Sequence, residues 1–129
     1  MFEKMEILTK AVGLAKHAAA RQSVITQNIA NADTPGYRAK DIASFAETFR
    51  ENNGGAMQAT RARHLTGSVD QANAEPNMVY RAGAMSPNGN SVALETEMMA
   101  AAEAKRDQDL ALTVYKTSLG IMRTALGRR

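Results

Sequence analysis

Between Asn90 and Gly127 no proline occurs, and Leu94, Met98, Ala101, Lys105, Gln108, Leu112, Tyr115, Leu119, Met122 and Leu126 follow one another in alternating steps of four and three residues. That spacing is the heptad of a helix with one seam to bury against another helix. Glu95 and Glu97 fall in its first turns and Arg123 and Arg128 in its last, which is the charge order the helix dipole favours. Such a helix runs roughly 50 Å at about 1.5 Å per residue. It cannot cover its own apolar stripe, so something else must lie along it.

The partner is at the other end of the chain. From about Lys4 to Asn31, the residues Leu8, Ala11, Ala15, Ala18, Gln22, Ile25 and Ile29 repeat the three-and-four spacing. Ala18, Ala19 and Ala20 would let a second backbone approach closely. The 129 residues suit one domain, but much of the 44% hydrophobic share is alanine and methionine, and tryptophan is absent. That is a thin core for a freestanding globule. The predicted fold is mainly α: long N- and C-terminal helices pair as an antiparallel coiled-coil-like hairpin, with a short third helix and a loop-rich middle arm. Residues 1–50 carry the first helix, its exit turn and the short helix. Residues 51–90 form the arm, and residues 91–129 form the last helix, one structural unit with 1–50.

The exit of the first helix reads Asn28-Ile-Ala-Asn31-Ala-Asp33-Thr34-Pro35-Gly36-Tyr37. Pro35 lacks a backbone donor and pushes Thr34 away from the α region, so the helix should stop by about Asp33. Pro35 and Gly36 suit the central positions of a type II turn. Asn31 and Asp33 can bond the freed backbone groups, and Tyr37 offers an apolar ring with a polar tip. By itself this is a rigid helix exit and names no activity.

Beyond the turn, Asp41 is a candidate cap for a short helix with Ile42, Phe45, Ala46 and Phe49 on one face; the other reading is a partly ordered loop. Glu51-Asn-Asn-Gly-Gly55 reads as a break. From there to Asn90 large hydrophobes are few, which predicts an extended arm with one or two short strands around Met78–Arg81. Ser86-Pro-Asn-Gly-Asn-Ser91 ends the arm as a turn, and Asn90 or Ser91 is the expected N-cap of the last helix. The strict capping box is absent, because Leu94 stands third after Ser91.

Little in the chain suggests chemistry. His17 sits beside Lys16 and Arg21, and His64 lies in a basic stretch with Arg61 and Arg63; neither has a carboxylate cluster nearby to complete a metal site. Glu95/Glu97 and Asp107/Asp109 are two apart, which points partners away from each other on a helix. Gly54-Gly55 lacks the Lys-Ser/Thr of a phosphate loop. A net charge of +3 with both signs interspersed is no polyanion footprint. Cysteine is absent, which excludes disulfides and thiolate metal ligands. No run of apolar residues is long enough to span a membrane, and the start shows no cleaved leader. The expectation is a non-enzyme with no catalytic, cofactor or metal residues.

Asn28-Ile-Ala-Asn31 followed by Thr34-Pro-Gly-Tyr37, at the end of an amphipathic N-terminal helix, resembles the signature of the bacterial flagellar rod, hook and hook-associated axial proteins. Arg38-Ala-Lys-Asp41 leading into Phe45, Thr60-Arg-Ala-Arg-His64-Leu, and Asn88-Gly-Asn-Ser-Val92 are similar to the short rod proteins, most of all the proximal rod proteins of the FlgB type. Arg106-Asp-Gln-Asp-Leu110 departs from the Arg-x-Tyr-x-x-Asn pattern of sister proteins and favours that type.

The resemblance implies a structural subunit of the basal-body rod, in the periplasmic space. It further implies passage through the flagellar type III apparatus without a cleaved leader, and no nucleic acid or small-molecule substrate. The implied partners are copies of itself, sister rod proteins, a rod-base adaptor, the inner-membrane ring and the export gate. Asn28, Asn31, Thr34, Pro35, Gly36 and Tyr37 are then the motif corner. Leu8, Ala11, Ala15, Ala18, Ile25, Ile29, Leu94, Met98, Leu112, Tyr115, Leu119, Met122 and Leu126 are the expected assembly interface. Another short rod protein, or a small helical nucleic-acid-binding module, are the alternatives.

Overall fold

In a computed structural model of the chain, residues 2–54 and 77–127 are described. The element order is α1 (Phe2–Ala30), β1 (Lys40–Ile42), α2 (Phe45–Gly54), β2 (Met78–Tyr80) and α3 (Leu94–Ala125). The basic Thr60–Leu65 stretch, His64 included, and the Met57 and Val69 part of the expected arm lie outside the described residues.

The two long helices pack together as the heptad spacing predicts. Their order is antiparallel: Asn28 meets Glu97, Arg21 meets Glu103, and Ala11 lines a common groove with Ala111. Ala11, Ala18 and Ile25, seven residues apart, are buried as expected, and Ile25 has no exposed surface. On α3 the buried residues are Glu97, Ala100, Ala104 and Ala111. That stripe lies one residue, or about 100° of helix, away from the seam of larger side chains. Helices pair here through alanines, whose small side chains permit close approach. The larger seam is left mostly on the outside: Leu94, Met98, Leu112, Tyr115 and Leu126 are exposed, from 37% at Tyr115 to 76% at Leu126, and Leu119 and Met122 are half-buried.

The helix ends differ from expectation in three places. The short helix α2 is not capped by Asp41, which lies in β1. Its cap is Ser44, whose hydroxyl accepts from the Glu47 N–H at 3.3 Å while the Glu47 carboxylate accepts from the Ser44 N–H at 3.2 Å. This is a reciprocal capping box, which satisfies two otherwise orphan donors. α2 also continues through Glu51-Asn-Asn-Gly54, where a break was expected. Finally, α3 starts at Leu94 with Ala93 at its N-cap and no side-chain cap. Asn90 and Ser91 are engaged elsewhere, as described below. At the far end Gly127, at φ +66°, follows the C-cap Leu126 and takes the left-handed position that commonly ends a helix.

The strand expected near Met78 is present as β2. It pairs antiparallel with β1 in the register Lys40↔Tyr80, Asp41↔Val79, Ile42↔Met78. β1 itself was not legible, since Lys-Asp-Ile has no strand pattern. It becomes a strand because α1 and β2 hold it from either side.

Candidate functional site

Two turns meet at the end of the helical hairpin. In the first, the Tyr37 N–H donates to the Thr34 carbonyl at 3.3 Å, with Gly36 at φ +73° in the third position. That is the type II geometry read from Pro35-Gly36. In the second, the Gly89 N–H donates to the Ser86 carbonyl at 2.8 Å, with Gly89 at φ +79°. The turns touch: the Gly36 N–H donates to the Asn88 carbonyl at 3.0 Å, and a Cβ on Gly89 would stand 3.4 Å from the Gly36 Cα. Gly36→Val leaves free space around the side chain but forces a β-branched residue into positive φ. It is expected to cost about 2 kcal/mol, read from urea denaturation.

Asn90 closes the corner. Its amide nitrogen lies 2.9, 2.7 and 2.9 Å from the carbonyl oxygens of Asn31, Ala32 and Thr34, just beyond the C-terminus of α1. The Asn31 and Thr34 carbonyls also accept turn bonds from the Thr34 and Tyr37 N–H groups, and the buried amide from the far side of the chain gathers all three carbonyls at the helix end. The Asn90 Oδ1 accepts from the Val92 N–H at 2.8 Å. The Ser91 hydroxyl accepts from the Ala39 N–H at 2.9 Å, and the Ser91 N–H donates to the Tyr37 carbonyl at 3.0 Å. The residues expected to cap α3 therefore tie its approach to the exit of α1.

Asn28 is the hub on the inner side. Its amide nitrogen donates to the Lys40 carbonyl at 2.7 Å and to Glu97 Oε2 at 3.1 Å. Its oxygen accepts from the Lys40 N–H at 3.0 Å and the Tyr37 hydroxyl at 3.3 Å. A helix side chain thus pairs with Lys40 as a neighbouring strand would. Asn31 turns back to its own helix, donating to the Gln27 carbonyl at 2.8 Å and accepting from the Thr34 hydroxyl at 3.3 Å. Pro35 is exposed. Of the motif residues, Asn28 and Tyr37 make long-range contacts through their side chains or backbone and Gly36 through its backbone, Asn31 and Thr34 reach Asn90 through their carbonyls, and Pro35 shapes the turn.

Behind Asn28 lies a chain of charges that the sequence reading missed. Glu97 is fully buried, and its Oε1 is 2.6 Å from Arg81. Arg81 also reaches Asp41 at 2.7 Å. Asp41 accepts from Arg21 at 3.2 Å, and Arg21 lies 3.4 Å from Glu103. Burial acts to raise the Asp41 carboxyl, but hydrogen bonds from Arg81, the Ile42 N–H and Arg21 outweigh it and hold it below its ordinary value. Arg81 is likewise lowered by burial and raised by more through Asp41 and Glu97, so its proton is held more firmly.

A carboxyl depressed in the folded state contributes stability that is present above its unfolded value, near 3.8, and is lost as pH falls through the lower folded value. The Asp41 contribution should therefore be constant at neutral pH and decline below about pH 4. Denaturation midpoints measured between pH 7 and pH 3 should fall less steeply in Asp41→Asn than in the unaltered chain.

The expected interface residues divide between two places. Ala11, Ala18 and Ile25 are buried against α3, with Leu8 and Ala15 half-buried beside them, while Ile29 is exposed. Leu94, Met98, Leu112, Tyr115 and Leu126 lie exposed on the outer stripe of α3, with Leu119 and Met122 half-buried along it. His17 is engaged within the fold: its Nε2 lies 2.8 Å from the Ala43 carbonyl and its ring meets Phe45 edge-on at 5.7 Å. Among the described residues no cluster of His, Cys, Asp and Glu could hold a metal ion. No described helix is long and apolar enough to cross a membrane.

A helix pair closed by alanines and locked at one end by a side-chain-built corner, with its larger apolar groups turned outward, is a building element. Residues 11–38, which end in that corner, match the family model of the flagella basal body rod protein. The flagellar basal body rod protein FlgB of Agrobacterium fabrum is 32% identical over 118 residues, 89% of this chain and 88% of the relative. That of Cereibacter sphaeroides is 34% identical over 108 residues, 82% of each. That of Salmonella typhimurium is 35% identical over 118 residues, 84% of this chain and 85% of the relative. The chain belongs to the FlgB family of flagellar basal body rod proteins, and as such is a structural subunit of the rod.

Proposed function

We propose that this subunit builds the proximal rod by laying the outer stripe of α3 against neighbouring subunits. In this reading Leu94, Met98, Leu112, Tyr115, Leu119, Met122 and Leu126 are the contact residues. The terminal helices line a tube that surrounds the export channel and transmits torque. The observation that carries the reading is the division of labour on α3: the hairpin closes through alanines, and most of a heptad stripe of larger side chains, Leu94, Met98, Leu112, Tyr115 and Leu126, is left exposed. Each such side chain contributes about 1.5–3 kcal/mol once covered. Repeated along a helix and around a ring, that is enough to drive assembly.

The neighbours that fit are further copies of this chain and other rod components. A rod-base adaptor, the inner-membrane ring and the export gate stand at the proximal end, in the periplasmic space. Delivery is through the flagellar type III route, and no cofactor, nucleic acid or small-molecule substrate takes part. A rigid corner at Thr34–Tyr37, tied to Asn90, would keep the two helices from shearing under load. The test is a photo-crosslinking side chain at Tyr115 in cells that assemble flagella: adducts with rod subunits are expected, and adducts only with unrelated proteins would contradict the reading.

A further inference from the structure

We infer that the Arg81–Glu97 pair makes closure of the α1–α3 helix pair conditional on docking of the segment that follows β2. Glu97 is the one ionisable residue in the buried stripe of α3. Its two oxygens are served from different parts of the chain: Oε2 by Asn28 of α1 at 3.1 Å, and Oε1 by Arg81 at 2.6 Å. Arg81 is anchored just beyond β2, its N–H donating to the Ala39 carbonyl at 2.9 Å. The cluster joins the carboxylates of Asp41, Glu97 and Glu103 to the guanidiniums of Arg21 and Arg81. With the β2 segment away, the cluster keeps three carboxylates and only Arg21, and Glu97 Oε1 loses its cation on the face that α3 turns to α1.

A buried ion pair adds little net stability over an apolar pair of the same shape, yet removing one partner is strongly unfavourable. The device therefore acts chiefly against the half-formed state. The helices close with the segment seated, or they stay apart. An alanine in place of Glu97, like its neighbours Ala100 and Ala104, would let the hairpin close alone. The conditional closure stands on the ion pairs and does not need the proposed role of the outer stripe. If that role holds, the stripe is presented in its final geometry only after β2 and Arg81 are in place.

The chain has no cysteine, so Gln22→Cys and Ala102→Cys, both at exposed positions, place one spin label on each helix of the full chain. The distance distribution between them, with amide hydrogen exchange at Val24–Asn28 and Glu97–Ala104, reports closure. Arg81→Ala is expected to broaden and lengthen the distribution and to speed exchange about tenfold or more. Adding Glu97→Gln to Arg81→Ala removes the stranded charge, and should bring the distance and the exchange rates back to within about threefold of the unaltered chain. A tight distribution in Arg81→Ala alone overturns the inference. So does a double variant as open as the single one, which would mean that Arg81 acts by packing. If Arg81→Ala fails to fold, refolding of the double variant supports the inference and its failure overturns it.

Discussion

Leu112→Asp is expected to abolish swimming in cells that depend on this chain, while shifting the unfolding free energy of the purified chain by no more than about 0.5 kcal/mol. Leu112 is 43% exposed, at the rim of a groove that it lines with Ala111, Tyr115 and the α1 residues Ala11 and Ala15, so a carboxylate there still reaches water in the free subunit. In an assembled rod the same carboxylate would be taken from water without a partner, a cost of several kcal/mol repeated at every subunit. Motility plates and urea denaturation of the purified chain separate the two effects. Normal swimming would remove the outer stripe from the interface. Loss of swimming together with loss of fold would show that Leu112 belongs to the hairpin core.

The second large effect concerns the corner. Asn28→Ala should lower the unfolding free energy by about 3 kcal/mol, more than any other single truncation in α1 outside Ile25. The buried amide donates to Lys40 and Glu97 and accepts from Lys40 and Tyr37, and its loss strands the Lys40 backbone groups and leaves Arg81 as the remaining side-chain partner of buried Glu97 among the described residues. Asn28→Asp tests the same hub with nearly unchanged shape. It sets a second carboxylate beside fully buried Glu97 and should be at least as damaging. A loss under about 1 kcal/mol for Asn28→Ala would mean that the corner is held by the backbone turns alone.

How much of this was legible depends on the range of the interaction. The Pro35-Gly36 turn was readable because a missing donor and a tolerance for positive φ are properties of those residues wherever they occur. The Ser44-Phe-Ala-Glu47 capping box was equally local and could have been read, but Asp41, a good cap by type, drew the helix start three residues too early. The signal for Glu97 was also present: it stands seven residues before Ala104 and fourteen before Ala111, in register with the alanines. A charge in the first turn of a helix has a ready dipole explanation, and that explanation hid its burial. Asn90 and Asp41 gave no local sign of their roles, because their partners lie more than fifty and about forty residues away.

By itself the amino-acid order determined that two long amphipathic helices bracket the chain, that the first ends in a rigid turn, and that the motif at this turn belongs to the flagellar axial proteins. Periodicity and turn chemistry act over a few residues, and no fold is needed to express them. Only the tertiary structure decided which face of α3 meets α1. Ranking side chains by hydrophobicity selects the Leu, Met and Tyr seam. The alanine stripe wins because small side chains let two backbones lie close together, and because Glu97 on that stripe finds Asn28 and Arg81 waiting.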